Sequence, residues 1–191
     1  MAECLGATAG LMTISQLVPY AKSVGLPATA ATLTLLIAAI GNAGGRIFSG
    51  ALSDKIGRLQ TLRLMIFASA ILMAITPNVA DLTIVYVVIF AIYYCYGTLL
   101  SVFPTTTADF FGTKNLGVNY GWIFTAWGIA GIVGPMIGGY MFKTYHNYNA
   151  AFYTAGVLTV VALGSILLAN RPEEVPAPAG AAVPTPKGAT S

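Results

Sequence analysis

Six long apolar stretches follow one another along the chain, and they constrain its fold more than any other feature. They run approximately over residues 5–22, 29–52, 60–77, 82–104, 118–142 and 150–169. A helix of roughly 20 mainly apolar residues can cross a hydrocarbon core about 30 Å thick, because it satisfies its backbone hydrogen bonds internally. Hydrophobic residues make up 57% of the 191 positions and charged residues 8%, which leaves too little polar surface for a soluble globule. We therefore predict an all-α membrane protein with six transmembrane helices in a lipid bilayer.

Turn-forming or charged residues separate the stretches, at residues 25–27, 53–59, 76–78, 109–115 and 143–149. The first stretch carries Glu3 and has no basic region ahead of it, so we interpret it as mature chain rather than a signal peptide. It is short for a span, which leaves open that its helix begins upstream of Met1. Residues 171–191 hold five of the ten prolines. We predict a helical domain over residues 1–170 and a disordered Pro/Ala-rich tail over 171–191.

The sequence lacks the residue patterns that several classes of function require. Cys4 and Cys95 lie in or near different spans and are interpreted as buried small hydrophobes, and His146 is the single histidine, so no zinc-ligand spacing occurs. The spans contain no nucleophile, paired carboxylates or metal cluster that would indicate an enzyme. We predict no cofactor, no metal and no catalytic residue. A net charge of +3 without a dense basic cluster argues against nucleic acid as a partner.

The distribution of basic residues predicts the orientation in the membrane. One set of alternate loops and ends holds five basic residues, and the other holds two. The two sets are Lys55, Arg58, Arg63, Lys114 and Arg171 on one side, and Lys22 and Lys143 on the other. The richer side is expected to be cytoplasmic, so with six spans both termini face the cytoplasm of a plasma (inner) membrane. Asp109, on the richer side, is expected to pair with a base or cap a helix, with proton coupling as the alternative.

Arg46 is a charge inside an apolar stretch. It lies about seven residues, or roughly 10 Å, from the predicted end of the second span near Ser53. A guanidinium at the centre of a membrane helix costs on the order of 2.5–3.5 kcal/mol, less where it can reach the interface. Either Arg46 extends to the interface, or it faces a polar cavity and holds a carboxylate by two parallel hydrogen bonds. The second interpretation predicts a small organic anion as ligand, and Gly44 and Gly45 leave room for it.

Small residues four apart predict close helix packing. Such pairs are Gly6 and Gly10, Gly41 and Gly45, and Gly134 and Gly138. In the fifth span, Pro135 stands among glycines, so a kink is expected there. The kink is either static or a moving hinge formed by Gly131, Gly134 and Pro135.

Two aromatic pairs lie three residues apart and so share a helix face. They are Tyr93 with Tyr96 on the fourth span, and Phe124 with Trp127 on the fifth. Such pairs usually pack in the bundle or sit at the interface. If they face the cavity, the tyrosine hydroxyls can donate to a carboxylate, so all four are candidate substrate-binding residues beside Arg46.

The segment "GALSDKIGR" between the second and third spans is more specific than an ordinary charged loop. Without further context its charges would indicate a solvated cytoplasmic loop. The segment resembles the short-loop motif of the major facilitator superfamily, G-x-x-x-D-[RK]-x-G-[RK]-[RK]. The matching residues are Gly50, Asp54, Lys55, Gly57 and Arg58. Leu59 stands where the motif has its last basic residue, which weakens the expected charge network.

Three further stretches resemble the oxalate/formate antiporter branch of that superfamily, which is related to monocarboxylate carriers. They are "AGLMTISQLVPYAKSVGL", "NAGGRIFSGALSDKIGR" and "FPTTTADFFGTKNLGVNYG". The resemblance implies that this chain is the C-terminal six-helix half of a twelve-helix carrier, itself a 3+3 inverted repeat, and that it works by alternating access. It also implies that Arg46 binds a substrate carboxylate. Where those carriers have a lysine in the eleventh helix, this sequence has Trp127, which favours a monoanion or another substrate over a dianion.

In carriers of this family the substrate lies between the two six-helix halves, so one half alone lacks the residues on the other side of the site. The resemblance therefore implies an N-terminal six-helix half as partner, and three arrangements stay open. The chain is a fragment of a longer protein, it pairs with a separate N-terminal half, or two copies assemble. A non-transporting membrane subunit, or a remnant of a carrier, is the alternative function.

Overall fold

A computed structural model of the chain describes residues 2–23, 25, 27–79, 81–112 and 114–169. The predicted tail, residues 171–191, lies outside them. The described residues form six α-helices, a short 3₁₀ turn at Thr76–Asn78 and no β-strand. The helices are α1 (Ala2–Ser23), α2 (Ala28–Ile56), α3 (Arg58–Ile75), α4 (Leu82–Phe111), α5 (Leu116–Tyr145) and α6 (Asn149–Leu167). The all-α prediction and the number of helices are confirmed.

Two predicted helix ends are wrong, and both helices are longer than expected. The break predicted over residues 53–59 is the single residue Gly57, whose φ of 92° reverses the chain between α2 and α3. The fourth helix does not end at Pro104 but continues to Phe111. Pro104 removes one backbone hydrogen bond, the one to the Leu100 carbonyl, and the helix continues past it. The hydroxyls of the three threonines that follow donate to carbonyls about one turn earlier, at 2.7 to 2.9 Å, and so stay within the helix.

The helices pack in a pattern that repeats between the two halves of the chain. The most extensive contacts join α2 to α4 and α1 to α5, followed by α1 with α6, α3 with α6 and α3 with α4. Exchanging α1–α3 with α4–α6 leaves this pattern unchanged. The packing is therefore that of two three-helix repeats, as the 3+3 prediction requires.

Glycines form the closest of these helix crossings, as predicted. A Cβ on Gly41 would lie 2.5 Å from the Phe90 carbonyl oxygen of α4. A Cβ on Gly134 would lie 2.8 Å from the carbonyl oxygen of Thr8 on α1. One turn further along, a Cβ on Gly45 would meet the Tyr94 carbonyl of α4, and one on Gly138 would meet the side chains of Gln16 and Met12 on α1. The α2–α4 and α1–α5 crossings thus use the same small-residue spacing.

Five described helical segments are long and apolar enough to cross a membrane: Thr32–Ile56, Arg58–Asn78, Leu82–Phe111, Leu116–Tyr145 and Asn149–Leu167. The sixth helix, α1, is more polar than these. It packs against α2, α4, α5 and α6, and residues such as Met12, Leu17 and Thr13 are buried. Because α1 faces mainly protein, it needs fewer apolar side chains than a helix surrounded by lipid.

Candidate functional site

Arg46 lies on the outer surface of α2, near the middle of the helix. Because α2 ends at Ile56, Arg46 is ten residues from that end, or about 15 Å, which is about half the thickness of a hydrocarbon core. Its Nε donates to the Oδ1 of Asn42, one turn earlier, at 2.9 Å. The two terminal amino groups of the guanidinium form no further hydrogen bond with the described residues. They present two parallel donors, the geometry that a carboxylate accepts.

The Arg46 side chain turns toward the face formed by α4 and α5. Its guanidinium is within electrostatic range of the phenol groups of Tyr96 on α4 and Tyr120 on α5. The side chain is exposed on the surface of this chain. The structure thus brings Arg46 and Tyr96 to one side of the bundle, at about the depth of the membrane midplane.

A row of aromatic rings joins α4 to α5 on this side. The Nε1–H of Trp127 donates to the Tyr96 hydroxyl at 2.8 Å. Trp127 also stacks on Phe124, with ring centroids 5.1 Å apart and an interplanar angle of 13°, and Phe124 contacts Tyr120 at 5.6 Å. Because the Tyr96 oxygen accepts from Trp127, its own O–H is left to donate to a ligand.

Tyr93, like Tyr96 at 5% exposed, is buried in the core of the bundle. It is 1% exposed and packs edge to face against Tyr96. Its hydroxyl has no hydrogen-bond partner in the described structure. Tyr93 therefore supports the position of Tyr96, and its predicted contact with substrate stays a prediction.

The predicted hinge positions lie along the α1–α5 crossing. Pro135 is inside the continuous helix α5, and Gly134 beside it is at the close approach to Thr8 and Met12. Gly131 has looser surroundings, with the Leu11 side chain 3.9 Å from a built Cβ. Gly134 therefore has a packing role, and hinge motion at these residues stays a prediction.

The short-loop motif lies at one end of the bundle, where α2 meets α3. Arg58 at the start of α3 pairs with Asp109 on α4 at 2.6 Å and also donates to the Thr105 carbonyl at 2.9 Å. The predicted pairing of Asp109 with a base is thus confirmed. Asp54 and Lys55 are exposed, and neither has a hydrogen bond or ion pair within the described chain.

A second arginine joins helices at the same end. Arg63 on α3 donates to carbonyl groups at the C-terminal end of α6, at 3.3 Å for Leu167, the last residue of the helix, and 2.8 Å for Ala169 just beyond it. These carbonyls have no partner within their own helix, so the guanidinium acts as a C-terminal cap. Together with Arg58, Arg63 ties the third helix to the ends of α4 and α6.

A separate cavity lies away from these residues. It has a volume of about 790 Å³, lies at the opposite end of the bundle and is lined by Lys22, Tyr20, His146 and Tyr148 among others. None of the predicted binding residues lines it. We therefore place the candidate site on the Arg46 face.

Sequence reasoning did not single out three residues near this face. Asn42 stands four residues before Arg46, the spacing at which side chains on a helix meet, so this contact was detectable. Tyr120 has the same spacing from Phe124. Glu3 was noted only as an argument against a signal peptide, although an acid in a membrane helix is itself a sign of function.

Comparison with known proteins identifies the family. Residues 4–189 match the family described as Major Facilitator Superfamily. The chain is 33% identical over 155 residues to the oxalate:formate antiporter of Oxalobacter formigenes, covering 80% of this chain and 37% of that protein. It is 35% identical over 68 residues to monocarboxylate transporter 14 of Mus musculus, covering 36% of this chain and 13% of that protein.

A third relative is the proton-coupled antiporter flippase LtaA of Staphylococcus aureus (strain MSSA476), 27% identical over 146 residues, which are 73% of this chain and 37% of the relative. The chain thus spans less than two fifths of the length of these relatives. The family match extends over nearly the whole sequence, and the apolar helices agree with a multi-pass membrane protein. This chain belongs to the Major Facilitator Superfamily of transporters.

Proposed function

We propose that this chain is the C-terminal half of a secondary carrier that moves a small organic anion, a mono- or dicarboxylate, across the inner membrane by alternating access. One observation carries the proposal. Arg46 has two uncommitted amino groups near the middle of its helix and interacts electrostatically with Tyr96, whose hydroxyl accepts from Trp127. The similarity to an oxalate:formate antiporter and to a monocarboxylate transporter supports a carboxylate as substrate.

In this proposal the exposed Arg46 face is covered by an N-terminal six-helix half. The least buried of the candidate spans are those of α2 and α5, the two helices that flank the face. They carry large exposed apolar side chains, including Phe48 at 66% and Trp122 at 75%. Relatives more than twice as long support a second half, either in the same longer protein or as a separate chain.

Each candidate residue has a distinct role in the proposed site. Arg46 holds the carboxylate by two hydrogen bonds and neutralises its charge. Tyr96 donates a third hydrogen bond, while Phe124 and Trp127 exclude water and limit the size of the ligand. With the anion bound, the guanidinium is partly neutralised, which eases its movement past apolar walls when the two halves rock.

The loop side is proposed to be cytoplasmic, with both termini on that side. Lys55, Arg58, Arg63 and Lys114 all lie at the end of the bundle where α2 meets α3 and α4 meets α5. Exposed Asp54 and Lys55 are available to contact the N-terminal half there.

Uptake of radiolabelled formate into vesicles that contain the complete carrier tests the proposal. Arg46→Gln, which removes the charge, is expected to lower uptake at least about tenfold, since a charge-assisted contact contributes roughly 1.5–3 kcal/mol. Arg46→Lys keeps the charge but loses the paired donors, so its uptake should lie between that of the wild type and that of Arg46→Gln. Lys143→Gln removes an exposed cation at the other end and should leave uptake unchanged. Undiminished uptake by Arg46→Gln would support the alternative of a non-transporting subunit or a different site.

A further inference from the structure

Glu3 is an acid buried inside the bundle without a partner. The residue is 7% exposed, in the first turn of α1. Neither carboxyl oxygen has a hydrogen-bond partner in the described structure. An ionised carboxylate is costly to bury unless a charge or donors compensate it, so a group in this position takes up a proton or a cation.

Glu3 borders a cavity at the cytoplasmic end of the bundle. The cavity has a volume of about 240 Å³ and lies between α1, α3, α4, α5 and α6. Its walls are mainly apolar, with Leu62 on α3 and Phe103 on α4 among the lining residues. The polar groups that line it beside Glu3 are the hydroxyls of Thr106, Thr107 and Ser165.

These three hydroxyls have no proton to offer to Glu3. Each donates to a carbonyl of its own helix, at 2.7 Å for Thr106, 2.8 Å for Thr107 and 3.0 Å for Ser165. Only their oxygen lone pairs remain available, and those are acceptors. An ionised Glu3 is also an acceptor only, whereas a protonated Glu3 can donate. The polar lining of the cavity therefore favours an added proton.

A metal ion fits this cavity less well than a proton. Hard cations such as Ca²⁺ take about six to eight oxygen ligands, commonly with several carboxylates. Within the described residues no group of three or more His, Cys, Asp or Glu side chains could hold a metal ion. One carboxylate among hydroxyls and apolar groups therefore points to a proton.

The anion site lies next to this group. Glu3 and Trp127 line one small cavity together with Tyr96, and Glu3 is within electrostatic range of Tyr96 and Tyr120. Arg46 on α2 acts on the same two phenols. The residues of α3 and α6 that line the cavity of about 240 Å³ are not titratable. On α1, Cys4 directly follows Glu3. Glu3 and Arg46 therefore act on the same two phenol groups, those of Tyr96 and Tyr120.

We propose that Glu3 is a proton-binding site whose occupancy is linked to anion binding at Arg46. A bound monoanion neutralises Arg46 and favours the uncharged acid at Glu3, so that anion and proton bind together. The proton comes from water, adds to one carboxyl oxygen and returns to water on the other side, and no other bond changes. The linkage rests on the proposed function of Arg46, whereas proton binding by Glu3 does not.

Infrared spectroscopy of the complete carrier without any anion tests the first part. The wild type is expected to show a carboxylic-acid carbonyl band near neutral pH that Glu3→Gln removes and Glu3→Asp shifts. Gln has the shape of the neutral acid, so this variant should fold. Asp81→Asn is the matched control, because Asp81 is an exposed cap of α4 and Asn caps equally well. A band that Glu3→Gln leaves unchanged would overturn the assignment.

Proton uptake in weakly buffered detergent solution, with formate as the probe, tests the linkage. At a pH above neutrality, where the anion-free protein no longer shows the Glu3 acid band, the wild type should take up as much as one proton for each formate bound. Glu3→Gln should still bind formate, within a few-fold of the wild-type affinity, but take up none. Equal proton uptake by both proteins would overturn the linkage. A wild type that shows the Glu3 band but binds no formate would contradict the Arg46 site and the linkage, and would leave proton binding by Glu3 standing.

Discussion

The Nε1–H of Trp127 on α5 donates to the hydroxyl of Tyr96 on α4 at 2.8 Å, and this bond connects the α4 and α5 residues of the candidate site. It fixes the direction of the Tyr96 O–H, which no other described contact does. The ring of Tyr96 in turn lies against Gly10 of α1, where a Cβ would collide with it. The position of one hydroxyl is thus set by three helices.

Replacing Trp127 with Phe should weaken anion binding without removing it. Phe can keep the stack on Phe124 but loses the N–H, so the Tyr96 hydroxyl is free to rotate. A neutral hydrogen bond contributes about 0.5–1.5 kcal/mol, so we expect the dissociation constant for formate to rise roughly 2- to 10-fold. Equilibrium binding to the purified carrier measures it. Tyr145→Phe, at an exposed position at the far end of the same helix, is the control, and equal effects of both variants would contradict the role of Trp127.

Replacing Trp127 with Lys should change which anions the carrier prefers. A second cation near Arg46 adds a Coulomb attraction of a few kcal/mol for a second negative charge at an effective dielectric constant of about 20. The ratio of oxalate to formate affinity is therefore expected to rise at least about tenfold. Competition between the two anions in a binding assay measures this ratio. Tyr145→Lys, at the exposed end of the same helix, should leave the ratio unchanged, and an unchanged ratio in Trp127→Lys would place Trp127 away from the anion.

The sequence predicts the six helices well because each is a long apolar segment between turn-forming residues. The ends of α2 and α4 were mispredicted for local reasons. Gly57 alone forms the turn between α2 and α3, and Pro104 is accommodated within α4. Arg46 stands out in the sequence because a charge in an apolar span is rare.

The rest of the site depends on contacts between helices, which a single sequence does not show. Tyr93 and Tyr96 share a helix face in the sequence, but only Tyr96 reaches Trp127 while Tyr93 is buried in the core. The burial of Glu3 is likewise not visible in the sequence. Its burial depends on residues of α3, α4 and α6 that are more than fifty positions away in the sequence.

Gly134→Ala should destabilise the bundle. The new Cβ would lie 2.8 Å from the carbonyl oxygen of Thr8, so α1 and α5 must move apart. Overpacking of this kind costs about 1–3 kcal/mol, which outweighs the gain of up to about 1 kcal/mol in helix propensity. Thermal unfolding in detergent should show a lower midpoint. Gly139→Ala on the same helix, where a Cβ would meet no atom within 4 Å, should leave the midpoint unchanged or raise it. A stable Gly134→Ala protein would contradict the close crossing.

Arg58 and Asp109 should be coupled, but weakly. Their side chains are 31% and 24% exposed, and exposed ion pairs contribute about 0.2–1 kcal/mol. A double-mutant cycle of Arg58→Gln and Asp109→Asn, measured by unfolding in detergent, should give a coupling energy in that range. Independent effects of the two substitutions would contradict the observed geometry.

The central claim is that the positive charge at position 46 meets the transported anion, and charge restored by chemical modification tests it most directly. Arg46→Cys is made in the complete carrier with Cys4 and Cys95 replaced by Ser and Ala, so that position 46 holds the reactive thiol of this half. Formate uptake should be lost, and should return in part after reaction with a positively charged aminoethyl thiosulfonate but not with a negatively charged sulfonatoethyl reagent. Full uptake by the unmodified Arg46→Cys protein, or equal recovery with both reagents, would contradict the account.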